Sequence, residues 1–394
     1  MVNKFLYPAG GAETYTFQIG AYWEEQGDKV AYFGMDDPDN IVGNPWGLYT
    51  KSVDFHKKGL RANMINPLKI IYSMEAREKM EKLLDQFCPD VVHINNFNYQ
   101  LTPSILLAIT SYRRKSFRKL RVIYTAHDSQ LVCPNHYMYR PTQHQTCEKC
   151  LTGGFGHCIE GRCIHQSLMR SCLGTMESIY WNWRKVYRYI DVIVCPSDFI
   201  KQQLDTNPIL ADKTVMLRNF VREMDRREFQ KGRYVLYFGR YSEEKGIRML
   251  LEVCRELPEI PFIFAGRGPL NDEILSTGNV SNVGFLSGQA LDQLIGEARF
   301  SVCLSECNEN CPFSVIESLM HGTPVLGTDR GGIPELIDDG HTGWIVPAGD
   351  KTVLRHRIMQ IWNSDEPERF EAACRKVKFD SLKEYAGKLR RFYQ

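Results

Sequence analysis

Two glutamates bound the segment Glu309-Asn-Cys-Pro-Phe-Ser-Val-Ile-Glu317, and farther upstream Arg240 and Lys245 bound Arg240-Tyr-Ser-Glu-Glu-Lys245. His127 follows the apolar run Val122-Ile-Tyr-Thr-Ala. A carboxylate in a helix body can accept two vicinal hydroxyls, and one on the loop before that helix can reach a group beyond a phosphate. An arginine and a lysine at the start of a helix can neutralise a diphosphate. Together the four residues suit a nucleoside diphosphate-sugar. The histidine adds a group that titrates near neutral pH, at a strand end where chemistry can use it.

Buried strands that end in loops must position these groups. Phe300-Ser-Val-Cys-Leu-Ser305 reads as a short buried strand, and Pro312 then opens a helix carrying Val315, Ile316, Leu319 and Met320 until Gly322 stops it. Glu309 falls on the intervening loop and Glu317 inside the helix. Tyr234-Val-Leu-Tyr-Phe-Gly-Arg240 is a second strand, with Lys245 at the start of a helix predicted over 247–257. Thr323-Pro-Val-Leu-Gly-Thr-Asp-Arg-Gly-Gly-Ile-Pro-Glu335 is a third, turning through glycines into a helix. Nearer the N-terminus, a strand over 2–7 leads through Gly10 and Gly11, which allow close backbone approach to a ligand, into a helix to about Gln26. A strand over 29–35, an irregular stretch to Gly59, a helix near 67–87, a strand over 91–96 and a helix over 103–112 follow. The strand that delivers His127 comes next, and a strand over 191–197 ends the first regular pattern. Val215 to Arg233 reads as a crossover, and the chain after Asp350 as helical.

The 394 residues are enough for two domains of ordinary size, with the 43% hydrophobic and 24% charged content of a globular protein. A formal net charge of +2 by itself implies no obligatory polyanion partner and leaves any basic surface local, so nucleic acid is not expected. The sequence has no apolar run of membrane-spanning length, and Met-Val-Asn-Lys-Phe-Leu-Tyr-Pro lacks the features of a signal peptide, so a cytoplasmic location is the expectation. Thirteen cysteines, several in apolar strands or helices such as Cys195, Cys254 and Cys303, argue against a disulfide framework.

Three stretches invite separate readings. Between Cys133 and Cys172, the spacing of Cys147, Cys150, Cys158 and Cys163 could place four thiolates about a structural zinc ion, with unligated thiols or an iron-sulfur cluster as alternatives. Arg113 to Arg121 carries six basic residues in nine, read either as a solvated helix end or as a patch for peripheral contact with an anionic membrane. The aromatic segment from Met176 to Ile190 is expected to form core and cleft wall.

The sequence Glu309-x7-Glu317, with His-Gly-Thr-Pro-Val and Gly-Gly-Ile-Pro-Glu-Leu-Ile, resembles the C-terminal signature of retaining GT-B glycosyltransferases of family 4. Arg240-x4-Lys245, the loop at Gly10 and Gly11, and His127 are similar to further family elements. Asp37-Pro-Asp39 has the look of the metal-binding aspartates of the other glycosyltransferase fold, but reads as turn chemistry. The resemblance implies an α/β protein of GT-B fold, two Rossmann-like doubly wound domains facing across a cleft. These would be an acceptor-binding domain over 1–210 with an insertion at 133–172, a linker over 211–233, a nucleotide-sugar domain over 234–375, and a helix over 376–394 returning to the first domain. It implies a UDP- or GDP-sugar donor, no catalytic metal, a glycan or lipid-linked glycan acceptor as in cell-surface polysaccharide synthesis, and hexosyl transfer with retention. Arg240 and Lys245 would meet the diphosphate, Glu317 the ribose and Glu309 the sugar, with His127 steadying that sugar. Gly10, Gly11, Gly268, Ser314 and Val315 complete the implied donor contacts. The alternatives are a nucleotide-sugar epimerase sharing the donor site, and a non-catalytic zinc-stabilised interaction protein on a transferase scaffold.

Overall fold

The computed structural model describes residues 1–52, 67–152, 154–221 and 229–394. The end of the irregular stretch at Gly59 and the beginning of the charged run at Arg222 therefore lie outside the described residues. The chain divides into two compact units, one of Met1–Gln143, Cys147–Leu217 and Leu382–Gln394, the other of His144–Thr146 and Arg218–Ser381.

The first unit is built on apolar runs that pair as parallel strands. Its strands are β1 (Val91–Ile94), β2 (Arg121–Thr125), the two-residue β3 (Tyr139–Arg140), β5 (Val192–Cys195) and β6 (Thr214–Met216), while the two-residue β4 (Gln145–Thr146) falls in the short segment assigned to the second unit. The sheet order is β1-β2-β5-β6, and single-residue bridges from Val2 to Ile94 and Phe33, and from Met35 to Thr50, extend it beyond β1. The predicted strands over 2–7 and 29–35 are thus reduced to bridges. A physical reason is the buried Asn3, whose amide donates to Phe5 O at 2.7 Å and Glu13 Oε1 at 2.9 Å, tying the chain into its own loop. The helices are α1 (Gly11–Glu25), α2 (Pro67–Ile71), α3 (Met74–Phe87), α4 (Ser104–Ser116), α5 (His157–Glu160), α6 (Leu168–Trp183) and α7 (Asp198–Asp205). The single helix predicted near 67–87 is two, because Ser73 leaves helical geometry and caps α3 by accepting from Ala76 N at 3.1 Å. Leu83, Leu84, Ile105, Ile109, Val122 and Ile193 fall in one core cluster.

Arg113 is not part of a solvated basic face. It forms an ion pair with Asp191 and donates to Leu120 O at 2.9 Å, which joins α4 to the segment before β5.

The aromatic segment is split by the structure: Trp181 and Tyr187 are buried, while Trp183 is 76% exposed. The inward side of α6 is largely small or polar, with Ser171, Gly174, Thr175, Glu177 and Ser178 all buried. Burial pushes the Glu177 carboxyl up to about 8, against a hydrogen bond from Ser178 that lowers it. A carboxyl that keeps its proton when folded but releases it near 4.5 when unfolded makes stability fall as pH rises through that interval. The Glu177→Gln variant should therefore gain stability over wild type as pH is raised from about 5 to about 8, seen as a widening gap in urea midpoints. An equal gap at both pH values would show that Glu177 titrates normally.

In the second unit, β7 (Val235–Arg240), β8 (Phe262–Arg267), β9 (Val280–Gly284), β10 (Phe300–Cys303), β11 (Val325–Thr328) and β12 (Gly343–Val346) form one parallel sheet in the order β12-β11-β10-β7-β8-β9. The order reverses between β7 and β10, the switch point at which open sheets of this kind bind ligands beyond the carboxyl ends of their strands. The helices are α8 (Ile247–Glu256), α9 (Asn271–Leu275), α10 (Gly288–Glu297), α11 (Phe313–Met320), α12 (Lys351–Trp362) and α13 (Glu366–Cys374).

The last helix, α14 (Leu382–Tyr393), belongs to the first unit. Its Tyr385 hydroxyl lies 2.8 Å from that of Tyr15, which is 3.2 Å from Thr125 Oγ1; that oxygen is 2.7 Å from His93 Nε2, and His93 Nδ1 is 2.7 Å from the Tyr393 hydroxyl. A closed polar chain thus ties α14 to α1, β1 and β2.

Candidate functional site

The loops after β7 and β10 build the site at the switch point of the second unit. Gly239 and Gly266 have φ of 147° and 156°, and a Cβ on Gly266 would lie 1.9 Å from Gly239 O. Only glycine permits this approach. The two strand ends therefore run in register to their last residues, which sets the exposed Arg240 beside the exposed Arg267. A short 3-10 turn over Glu243–Lys245 then leads into Gly246, whose φ is 72° and whose added Cβ would meet Leu304 O at 2.1 Å. That contact presses the start of α8 against the chain leaving β10.

Lys245 Nζ meets Glu309 Oε1 there, and Ser305 Oγ donates to the same carboxylate oxygen at 2.7 Å. Burial, the largest influence, pushes the Glu309 carboxyl up, but the Lys245 charge and the hydrogen bonds from Lys245 and Ser305 outweigh it and hold it below the ordinary range. Burial likewise works against the Lys245 ammonium, and the facing Glu309 carboxylate outweighs it to keep the cation charged. The backbone of Glu309 is fixed as well. Gly332 N donates to Glu309 O at 2.6 Å, and a Cβ on Gly331, where φ is 58°, would lie 2.1 Å from that oxygen.

Gly268 passes so close to Tyr241 that a Cβ would lie 2.3 Å from its carbonyl oxygen. Ser314 and Glu317 are half-buried on α11, and the Glu317 carbonyl accepts from His321 N at 3.1 Å. Val315 is buried, so its side chain serves the core, and its N–H donates to Pro312 O at 3.2 Å. Neither α8 nor α11 has a side-chain acceptor at its N-cap, Gly246 and Pro312 respectively. Their first N–H groups and partial positive ends are suited to an anion. The second unit thus offers cations, two helix starts and a clamped carboxylate.

In the first unit, His127 lies just past β2, with Nε2 at 2.9 Å from Asn95 Oδ1 and its ring edge-on to Tyr15 at 4.9 Å. Burial lowers its pKa to about 3, so it is neutral at physiological pH. With Nε2–H donating to Asn95, the lone pair is on Nδ1. Gly10 and Gly11 are exposed at the start of α1, where Gly10 has an extended backbone and no side-chain cap.

The four cysteines proposed as zinc ligands are not assembled. Cys150 and Cys158 are buried about Phe155 with Cys163 packed against them, and the half-buried Cys147 neighbours Cys150 while its N–H donates to Met138 O at 2.8 Å. Among the described residues no three His, Cys, Asp or Glu side chains are grouped to hold a metal ion. Burial pushes the Cys150 thiol up to about 11, with the neighbouring Cys147 and Cys163 adding to the rise.

Sequence reasoning missed Ser305, Arg267, Asn95 and the clamp on Glu309 from Gly331 and Gly332. Arg267 could have been found, because Gly266-Arg267 ends its strand as Gly239-Arg240 does.

A family model described as Glycosyltransferase Family 4 matches residues 9–223, and one described as Glycosyl transferases group 1 matches residues 222–377. An uncharacterized glycosyltransferase of Methanocaldococcus jannaschii is 25% identical over 204 residues, 50% of this chain and 55% of its own length. The amylovoran biosynthesis glycosyltransferase AmsK of Erwinia amylovora is 26% identical over 143 residues, 32% of this chain and 35% of its own. The chain thus spans about half the length, or less, of these curated relatives. Among solved structures, Anabaena HepE in complex with UDP-glucose has a TM-score of 0.65 at 14% identity, covering 99% of this chain and 97% of that one, a likeness of fold.

Proposed function

This chain belongs to glycosyltransferase family 4, and on that premise we propose that it transfers a hexosyl group from a UDP- or GDP-sugar to a glycan or lipid-linked glycan acceptor, with retention at the anomeric carbon. The observation that carries the reading is the Lys245–Glu309 pair at the switch point of the nucleotide-binding sheet. A cation already paired with a carboxylate can turn to a diphosphate while that carboxylate accepts hydrogen bonds from hydroxyls of the attached sugar. The diphosphate gains negative charge as the glycosidic bond breaks, and Lys245, Arg240 and the start of α8 meet that charge without reorganising. Glu317 holds the ribose. His127 serves the reacting sugar as a neutral hydrogen-bonding group and not as an acid, because burial keeps it unprotonated. The UDP-glucose bound by HepE supports a nucleotide-sugar donor, and the amylovoran enzyme supports a glycan product.

A panel of UDP- and GDP-sugars tests this by thermal stabilisation and slow hydrolysis. The true donor, at about a hundred times its Kd, should stabilise the chain by roughly 2.7 kcal/mol. NMR of the transfer product should show the donor's anomeric configuration. Inversion would end the retention assignment, and interconversion of nucleotide-sugars without an acceptor would point to an epimerase.

A further inference from the structure

On its outward side α6 carries only apolar groups. At about 100° per residue, Leu168, Met169, Met176, Ile179 and Trp183 fall within one arc of roughly 100°, with the half-buried Cys172 among them. Met169 is 69% exposed and Trp183 76%, and the other three are each more than half exposed. The opposite side buries Trp181 together with Ser171, Gly174, Thr175, Glu177 and Ser178, so it is mostly small or polar. A surface helix of a soluble protein normally has the reverse arrangement.

Cations border this stripe. Arg184, Lys185 and Arg188, just beyond the end of α6, are all exposed. Arg184 also lines a cavity of about 410 Å³ with Arg77, and with Arg114 and Lys115 from the last turn of α4. The next residue but one, Phe117, is 94% exposed and followed by the exposed Arg118 and Lys119. An apolar stripe rimmed by cations is complementary to an anionic bilayer, whose acyl region takes the apolar groups while its headgroup phosphates meet the cations.

We propose that the outward face of α6, with the basic rim formed by Arg114, Lys115 and Arg184, is the surface by which this protein lies on an anionic lipid bilayer. This does not rest on the donor-site reading, since none of these residues belongs to that site. A second copy of the chain could cover the stripe but would leave the cations unanswered.

The full chain would be floated with phosphatidylcholine vesicles, with and without about a third phosphatidylglycerol. Wild type should partition to the phosphatidylglycerol vesicles, at least tenfold more strongly than to the neutral ones at low salt. The double variant Ile179→Glu, Trp183→Glu should lose that partition about tenfold or more while keeping the wild-type circular dichroism spectrum and urea midpoint, which controls for folding. The triple variant Arg114→Gln, Lys115→Gln, Arg184→Gln should weaken binding and flatten its salt dependence. Failure of wild type to float at low salt would overturn the proposal, as would undiminished floating of the Ile179, Trp183 variant. So would a dimer in solution that the variant dissociates while vesicle binding stays unchanged.

Discussion

Lys245→Ala should lower kcat/KM for the donor by roughly ten- to a hundredfold, with both donor affinity and turnover falling. A charge-assisted hydrogen bond to phosphate is worth roughly 1.5–3 kcal/mol, which corresponds to that range. Turnover falls too because the leaving diphosphate carries more charge in the transition state than in the ground state. A second effect comes from the neighbour left behind. Glu309 is held ionised against burial chiefly by Lys245, so its carboxyl should rise and take up a proton once the lysine is gone. Wild-type Glu309, with its lowered pKa, contributes stability above the unfolded carboxyl range that is lost as pH falls through the folded value; Lys245→Ala should abolish that contribution at neutral pH. Combining Lys245→Ala with Glu309→Gln should then restore stability without restoring diphosphate affinity. Titration calorimetry with the nucleoside diphosphate, and urea unfolding of the single and double variants, separate the two effects. Wild-type affinity in Lys245→Ala would place the phosphate elsewhere and undo the donor-site assignment.

Glu309→Gln should divide donor binding from chemistry. The amide is nearly isosteric, can still accept from Ser305 Oγ, and leaves the backbone clamp from Gly331 and Gly332 untouched. Nucleoside diphosphate affinity should stay within a few-fold of wild type, because the phosphate can take over as partner to Lys245. Affinity for the intact nucleotide-sugar should fall more, and turnover should drop about tenfold or more, as expected when a charged hydrogen-bond partner of the sugar becomes neutral. Comparing dissociation constants for the two ligands on the same variant isolates the sugar contact. Normal turnover would make Glu309 a structural counter-ion of Lys245, with the sugar held by another group.

Much of this site was legible because each of its parts has a local cause. Runs such as 234–238 and 300–304 are largely apolar, as strands buried on both faces must be, and the residues that follow them had to lie at strand ends. What lay beyond local reading was distance along the chain. The clamp on Glu309 comes from a turn more than twenty residues later, and Gly331 read only as a turn residue. The thiol spacing could not say which sulfurs share a space, and the fold packs Cys150, Cys158 and Cys163 about Phe155. The case of α6 differs, since its period was readable but periodicity carries no sign. An apolar stripe gives the same pattern whether it faces inward or outward, and the assignment of Trp183 to core or cleft wall was made on the inward assumption.

The placement of α14 bears on how the chain is made. Synthesis proceeds from the N-terminus at about 5–20 residues per second, so roughly ten seconds or more separate completion of Leu217 from the emergence of Tyr385 and Tyr393. Through that interval the hydroxyls of Tyr15 and Thr125 and the ring of His93 lack the partners that close their polar chain. Until α14 is made, the first unit therefore lacks part of the packing about Tyr15 and His93, while the second unit can form around its own sheet. Before α14 is added, the second unit is whole while the first still lacks the Tyr385 and Tyr393 hydroxyls.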